Sequence, residues 1–370
     1  MDLCDDAADW HDWLAGHVGT AVGRRGPLGE RDAHRHLRHF VAEQFGDRYL
    51  DSHDWAYTPG TGRMLDHLLG AVPPDGRGAV LPTYQRVAAS LPAGAAETSV
   101  VLPPARWAEA GFTPPCRPPA LFVVNPVHAN PVAASLSREF LDDLAGYARS
   151  EDVLVVEDDA FRGTGPDDSG PPEMLGRCPD RTVYLGSWTK ALGWPVKAGI
   201  VGWPRAASRA RLLRPGAPVP PPELPMDVSA VLAAGLFGAI QRHRRERLDP
   251  RRAAVTALLR AASIGFVPPT GGAHVAVLVP RAELLRRSLV SAGLGGLGAE
   301  TFYQQGGSAD SFVRLGLSNV TSAAWPSLLD RLAEVLAGDR PDGYPGPAPD
   351  GAAGATDLAA DGTQVRASTL

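Results

Sequence analysis

The chain has 370 residues, enough for two domains around sizeable cores. At 44% hydrophobic and 21% charged it has the composition of a globular protein, and its net charge of −5 argues against nucleic-acid binding as its main task. Cys4, Cys116 and Cys178 lie far apart with no C-x-x-C spacing, which argues against a disulfide framework and against a zinc site, so no metal is expected.

The acidic start Met1-Asp-Leu-Cys-Asp-Asp lacks the apolar stretch of a signal peptide, and the longest apolar run, 228–240, is too short for a bilayer. A cytoplasmic location and no membrane partner are expected. Residues 1–49 form an N-terminal segment expected to join the smaller of two domains. Next comes Tyr57-Thr58-Pro59-Gly60-Thr61-Gly62, followed by Met64, Leu65, Leu68 and Leu69 at helical spacing. A Gly-rich turn opening a helix presents free backbone N–H groups, suited to a phosphate or simply to a turn.

From there to about residue 205, short apolar runs alternate with helical patterns. Ala79–Leu81, Leu121–Val124, Val153–Val156, Thr182–Leu185 and Gly199–Val201 read as strands covered on both faces. Leu136, Phe140, Leu141, Leu144 and Ala148 mark one helix face, with Ser135 or Ser137 as its cap. This predicts an α/β large domain over 50–225 with a mostly parallel sheet and helices on both sides. The region 226–337 predicts a smaller α+β domain. It has a helical stretch from Asp227 to Ala262 broken near Pro250, strands at His274–Val279 and Phe312–Leu317, and a last helix ending at Gly338. The basic clusters Arg242–Arg247 and Arg251-Arg252 read as a solvated helix face. Residues 338–370 have almost nothing to bury and are expected to be disordered.

The chemistry gathers at strand ends. Tyr84 follows the first strand, where an aromatic can lie on a planar ring or simply pack. After the second strand come Asn125-Pro126-Val-His128-Ala-Asn130-Pro131, a rigid loop whose asparagine amide can donate to a phenolate oxygen. His128 reads as a cleft-lining side chain rather than a base. The third strand ends in Glu157-Asp158-Asp159-Ala160-Phe161-Arg162, where ligands of doubly wound sheets sit. One of the three acids can face a pyridine nitrogen; the others read as solvated. The fourth strand ends in Gly186-Ser187-Trp188-Thr189-Lys190, with a second cation, Lys197, soon after. An amine able to form a Schiff base, next to hydroxyls and a cation able to hold a phosphate, suggests pyridoxal 5'-phosphate.

In this order the segments resemble the fold-type-I pyridoxal-phosphate enzymes of the class I/II aminotransferase group, over roughly residues 25–337. The resemblance implies that Lys190 carries the Schiff base and that Asp158 faces the ring nitrogen. Tyr84 would stack on the ring and Asn130 would meet its phenolate oxygen. Gly60, Thr61, Gly62, Ser187, Thr189 and Lys197 would hold the phosphate, and Arg314 in Phe312-Val-Arg314-Leu315 would bind the substrate carboxylate. It also implies an α-amino acid substrate, a role in biosynthetic or secondary metabolism, and a homodimer. Three positions depart from the family pattern. Phe161 replaces the tyrosine that donates to the phenolate, Lys197 replaces an arginine, and no tyrosine ahead of Tyr49 matches the one usually lent by the partner subunit. Phe161-Arg162-Gly163, Lys197-Ala-Gly199 and Asp32-Ala-His34 are similar to segments of arginine oxidases and hydroxylases that use dioxygen, which gives an alternative reading. Another is a non-catalytic effector-binding domain of the kind found in some bacterial regulators, although no winged-helix pattern precedes the Gly-rich turn.

Overall fold

A computed structural model describes residues 30–166, 172–192, 198–206, 231–233, 235–279, 282–303, 312–318 and 323–338. The larger of its two sheets has seven strands: β1 (His53–Thr58), β2 (Arg77–Leu81), β3 (Val100–Val101), β4 (Leu121–Val124), β5 (Leu154–Asp159), β6 (Thr182–Ser187) and β7 (Gly199–Pro204). Their order is β1-β7-β6-β5-β4-β2-β3. The run from β3 to β6 is parallel, while β7 and β1 are antiparallel to their neighbours. All five predicted strands of the large domain are therefore present in an α/β sheet. Their continuous apolar runs have a physical cause: every residue of β4 and β5 is buried, as in a sheet covered on both faces.

The covering helices follow the expected stripes. In α5 (Arg138–Ser150) the side chains of Phe140, Leu141, Leu144, Ala145 and Ala148 are buried, and the Ser137 hydroxyl caps the helix by accepting from the Phe140 N–H at 3.1 Å. In α3 (Thr61–Gly70), Met64, Leu65, Leu68 and Leu69 are buried. The strand β1 has no apolar run to announce it. It is held by burial of His53 and Trp55 on one face and Thr58 on the other, and by antiparallel pairing with β7. The helix α1 (Glu30–Phe45) lays Leu37, Phe40, Val41 and Phe45 on Trp55, Tyr184 and Ile200 of the large sheet and on Phe237 and Ile240.

The second sheet is β8 (Gly265–Phe266), β9 (His274–Leu278), β10 (Gly296–Gly298) and β11 (Phe312–Gly316), antiparallel in the order β10-β11-β9-β8. Val255 and Leu259 of α8 (Phe237–Ala261), Leu285 of α9 (Ala282–Ser291) and Leu332 of α10 (Trp325–Gly338) close its core. The predicted break near Pro250 does not occur, and α8 runs through it. Pro250 and Glu246, whose carbonyl it deprives of a donor, are both exposed, so water can take that role. Arg251 and Arg252 are not on a solvated face. Both are buried: Arg251 donates to the Leu317 carbonyl at 2.9 Å and lies over the Trp325 ring, and Arg252 donates to the Gly272 carbonyl at 2.6 Å and the Thr164 carbonyl at 3.1 Å. Their five-donor forks satisfy carbonyls that water cannot reach. Among the described residues, no helix is long and apolar enough to cross a membrane. Lys197, Cys4 and the tail after Gly338 lie outside the described residues.

Candidate active site

Register brings the predicted pieces together. Gly199 of β7 pairs with both Thr58 at the end of β1 and Ser187 at the end of β6. A Cβ at Gly199 would stand 2.6 Å from the Gly186 carbonyl and 3.0 Å from the Thr58 hydroxyl, so only glycine lets these strand ends close up. The Gly60-Thr61 turn into α3 thus opens beside Ser187. The Thr58 hydroxyl is fully buried there without a hydrogen-bond partner. The Thr189 hydroxyl is turned to the backbone of Ala198, accepting from its N–H at 3.1 Å.

At the end of β4, Asn125 donates to the backbone carbonyl of Asp158, and its carbonyl oxygen accepts from the Asn130 N–H at 2.7 Å. One side chain so fixes the loop that carries Asn130 against the strand that carries Asp158. The Asn130 carbonyl oxygen and one Asp158 carboxyl oxygen are buried and unpartnered. Asp158 is pushed up to about 7, by burial first and by the neighbouring Asp159 next, while the Lys190 ammonium pulls it back down. Lys190 sits in the first turn after β6, in α7 (Trp188–Leu192), with its Nζ 5.6 Å from the centre of the Phe161 ring.

The small domain supplies the opposite wall. His274 of β9 packs edge-on against Phe161, ring centres 5.1 Å apart, and is fully buried. Burial first, then the Arg314 charge, holds it well below the usual histidine range, so it is neutral. Its Nε2 donates to the Ala129 carbonyl at 3.3 Å, which leaves Nδ1 as an acceptor with no donor. Arg314, buried in β11, pairs with Ala276 two residues along from His274. Asp158, Lys190, Phe161, His274 and Arg314 thus lie close to one another. Tyr84 is half-buried at the start of α4 (Gln85–Ser90), with Arg86 leaning on its hydroxyl.

His128, expected to line the cleft, is instead wedged at the domain junction. It is 4% exposed, and its Nδ1 lies 2.9 Å from the Thr270 hydroxyl. A Cβ at Gly271 would meet three atoms of its ring at 2.5–2.7 Å. Gly271→Ala is therefore expected to destabilise the protein by about 1–3 kcal/mol in chemical unfolding, and His128→Ala/Gly271→Ala to recover part of that loss. Thr58 and Asn125 were not among the predicted site residues. The Asn-Pro pair repeated at 125 and 130 was the available signal for Asn125; nothing in the sequence singles out Thr58.

The fitness of these residues for pyridoxal 5'-phosphate is visible in what they leave open. A buried carboxyl oxygen at Asp158, a buried hydroxyl at Thr58 and a helix-opening glycine turn suit a pyridinium nitrogen and a phosphate. Comparison with known proteins agrees at the level of fold. The kynurenine aminotransferase of Pyrococcus horikoshii is 17% identical with a TM-score of 0.66, covering 92% of this chain and 90% of that one. The α-aminoadipate aminotransferase LysN of Thermus thermophilus is 19% identical with a TM-score of 0.68, covering 91% of each chain. In sequence, the HTH-type pyridoxine biosynthesis transcriptional regulator of Corynebacterium glutamicum is 27% identical over 223 residues, 57% of this chain and 48% of that protein. The chain spans about half the length of this curated relative. The family model described as aminotransferase class I and II matches residues 113–332, from the segment before β4 to α10, and the chain belongs to that family.

Proposed function

We propose that the protein binds pyridoxal 5'-phosphate as a Schiff base on Lys190 and acts on an α-amino acid by aminotransferase-type chemistry. The observation that carries this is the convergence of Lys190, an Asp158 carboxyl oxygen without a partner, and Arg314 around the Phe161–His274 contact. When bound, the coenzyme supplies a ring that accepts the electron pair left at the substrate Cα. The protein's own groups do the rest. Arg314 orients the substrate through its carboxylate. The Lys190 amine, released when substrate binds, takes the proton from Cα and can return it elsewhere. Asp158 keeps the ring nitrogen protonated. The neutral edge of His274 and the Phe161 ring keep water away from that proton.

The test is spectroscopic and kinetic. Purified protein with the coenzyme should absorb as a protonated imine, and candidate amino acids with a keto-acid acceptor should be turned over. Arg314→Leu should raise KM by about 10- to 100-fold with a smaller change in kcat, as expected for losing charge-assisted hydrogen bonds to a carboxylate. A Schiff base with no turnover of any amino acid would favour a second reading, a non-catalytic effector-binding domain. The 27% identity to a transcriptional regulator supports that reading. Oxygen uptake with arginine and no acceptor would favour the oxidase reading, which Phe161 supports because it brings no phenol beside Lys190. The homodimer belongs to the same proposal and is tested by sedimentation velocity.

A further inference from the structure

Three consecutive acids at the end of β5 are all buried: Glu157 at 0%, Asp158 at 5% and Asp159 at 1% exposure. Each is fastened differently. Strand alternation puts Glu157 and Asp159 on one face of the sheet and Asp158 on the other. Glu157 accepts from the Leu175 N–H at 2.8 Å. Its carboxyl is pushed up to about 8, by burial first and Asp159 next, so it is largely protonated at neutral pH. Asp159 is gripped twice, by the Arg162 guanidinium and by the Tyr184 hydroxyl at 3.2 Å. The pair is not sealed. Asp159, Arg162 and Tyr184 line a cavity of about 210 Å³ together with Glu43, Gln44 and Gln241, and the Arg162 side chain keeps 13% of its exposure. Partial solvation of the cation lowers the cost of burying the pair. Asp158 alone turns an unpartnered oxygen to the face that carries Lys190.

We propose that Asp159 is a positioning residue for this site: clamped behind β5 by Arg162 and Tyr184, it stays ionised, leaves Asp158 as the one of three carboxyls turned to the coenzyme ring, and adds a fixed negative charge behind it. The proposal rests on the coenzyme reading above. Its physical content is a charge one residue away from Asp158, across the strand. Arg162 faces Asp159, so it neutralises that charge incompletely at Asp158, where Lys190 is the nearer cation. Glu157, being protonated, contributes no charge of its own. The three neighbouring acids therefore have three roles: a neutral structural acceptor, an ionised clamp and the coenzyme's counter-charge.

The experiment is a titration of the apoprotein with pyridoxal 5'-phosphate, followed by imine absorbance, at pH values from about 5 to 9. In the wild type, affinity should weaken as pH falls through about 7, where Asp158 takes up a proton. In Asp159→Asn that midpoint should fall by at least about half a unit, which is roughly threefold tighter relative binding on the acid side. Glu157→Gln should leave the midpoint where it is. Where Asp159→Asn does not fold, the double variant Asp159→Asn/Arg162→Met, which leaves no buried charge unmatched, should show a downward shift too, smaller because the Arg162 charge is gone as well. A uniform loss of affinity with an unmoved midpoint would make Asp159 a packing residue only and overturn the proposal. A shift in Glu157→Gln equal to that in Asp159→Asn would do the same. A wild type that never forms the imine overturns the coenzyme reading as well, so the two failures are told apart.

Discussion

Lys190→Ala is expected to abolish the imine absorbance and to lower turnover by at least ~10³-fold, while the coenzyme still binds reversibly. The expectation follows from where Lys190 stands. It lies in the single turn of α7 that follows β6, with its amine near the Phe161 ring and its charge felt at Asp158. The chain has one other lysine, Lys197. The coenzyme should remain because the other holds proposed for it are untouched: the Gly60-Thr61 turn, Ser187 and Asp158. Two measurements check the assignment. Absorbance of the reconstituted variant reads the covalent link. Turnover with an added small primary amine reads the proton transfer, and the amine should restore part of the rate if Lys190 moves the proton at the substrate Cα. An unchanged imine spectrum in Lys190→Ala would move the covalent link to another amine and sink the assignment.

What was legible in the sequence was whatever one segment carries alone. The runs Leu121–Val124 and Val153–Val156 announced central strands because both faces are covered, and α5 announced itself by its stripe and its Ser137 cap. Lys190 stands out as a candidate because a strand, a hydroxyl-rich turn and a lysine stand together in Gly186–Lys190. What the sequence hid was pairwise. Thr58 matters only because Gly199 brings it beside Ser187, a relation of register 141 residues apart in sequence that no local pattern records. The acids at 157 and 159 read as solvated because charge usually implies water. Their burial depends on Leu175, Tyr184 and Arg162, each supplied after β5. Arg251 and Arg252 misled for the same reason: a basic helix face is solvated until carbonyls distant in sequence, here Thr164, Gly272 and Leu317, cover it. His128 followed the same rule, since its slot is made by Gly165 and Gly271.

Asp158→Asn should separate what this site costs from what it does. The carboxyl is 5% exposed and is pushed up to about 7 by burial, then by Asp159, with Lys190 opposing. A carboxyl raised above its unfolded value binds more protons in the folded state. Its contribution to stability is therefore lost as pH rises from about 4 to about 7, not gained. Asparagine has the same shape and no charge to desolvate. The apoprotein of Asp158→Asn should thus match the wild type near pH 4 and exceed it by about 2–4 kcal/mol at pH 8, an upper bound from roughly 1.4 kcal/mol per pH unit. Chemical unfolding at the two pH values reads that difference. Turnover should move the other way, down by about 10²–10³-fold, because a neutral amide cannot hold the ring nitrogen protonated while charge develops at Cα. A variant both more stable at alkaline pH and nearly inactive is the signature of a charge kept for chemistry rather than for folding. A variant that loses stability at pH 8 and keeps its turnover would mean that Asp158 is a structural acid, and the counter-charge to the ring would have to be sought elsewhere on the sheet.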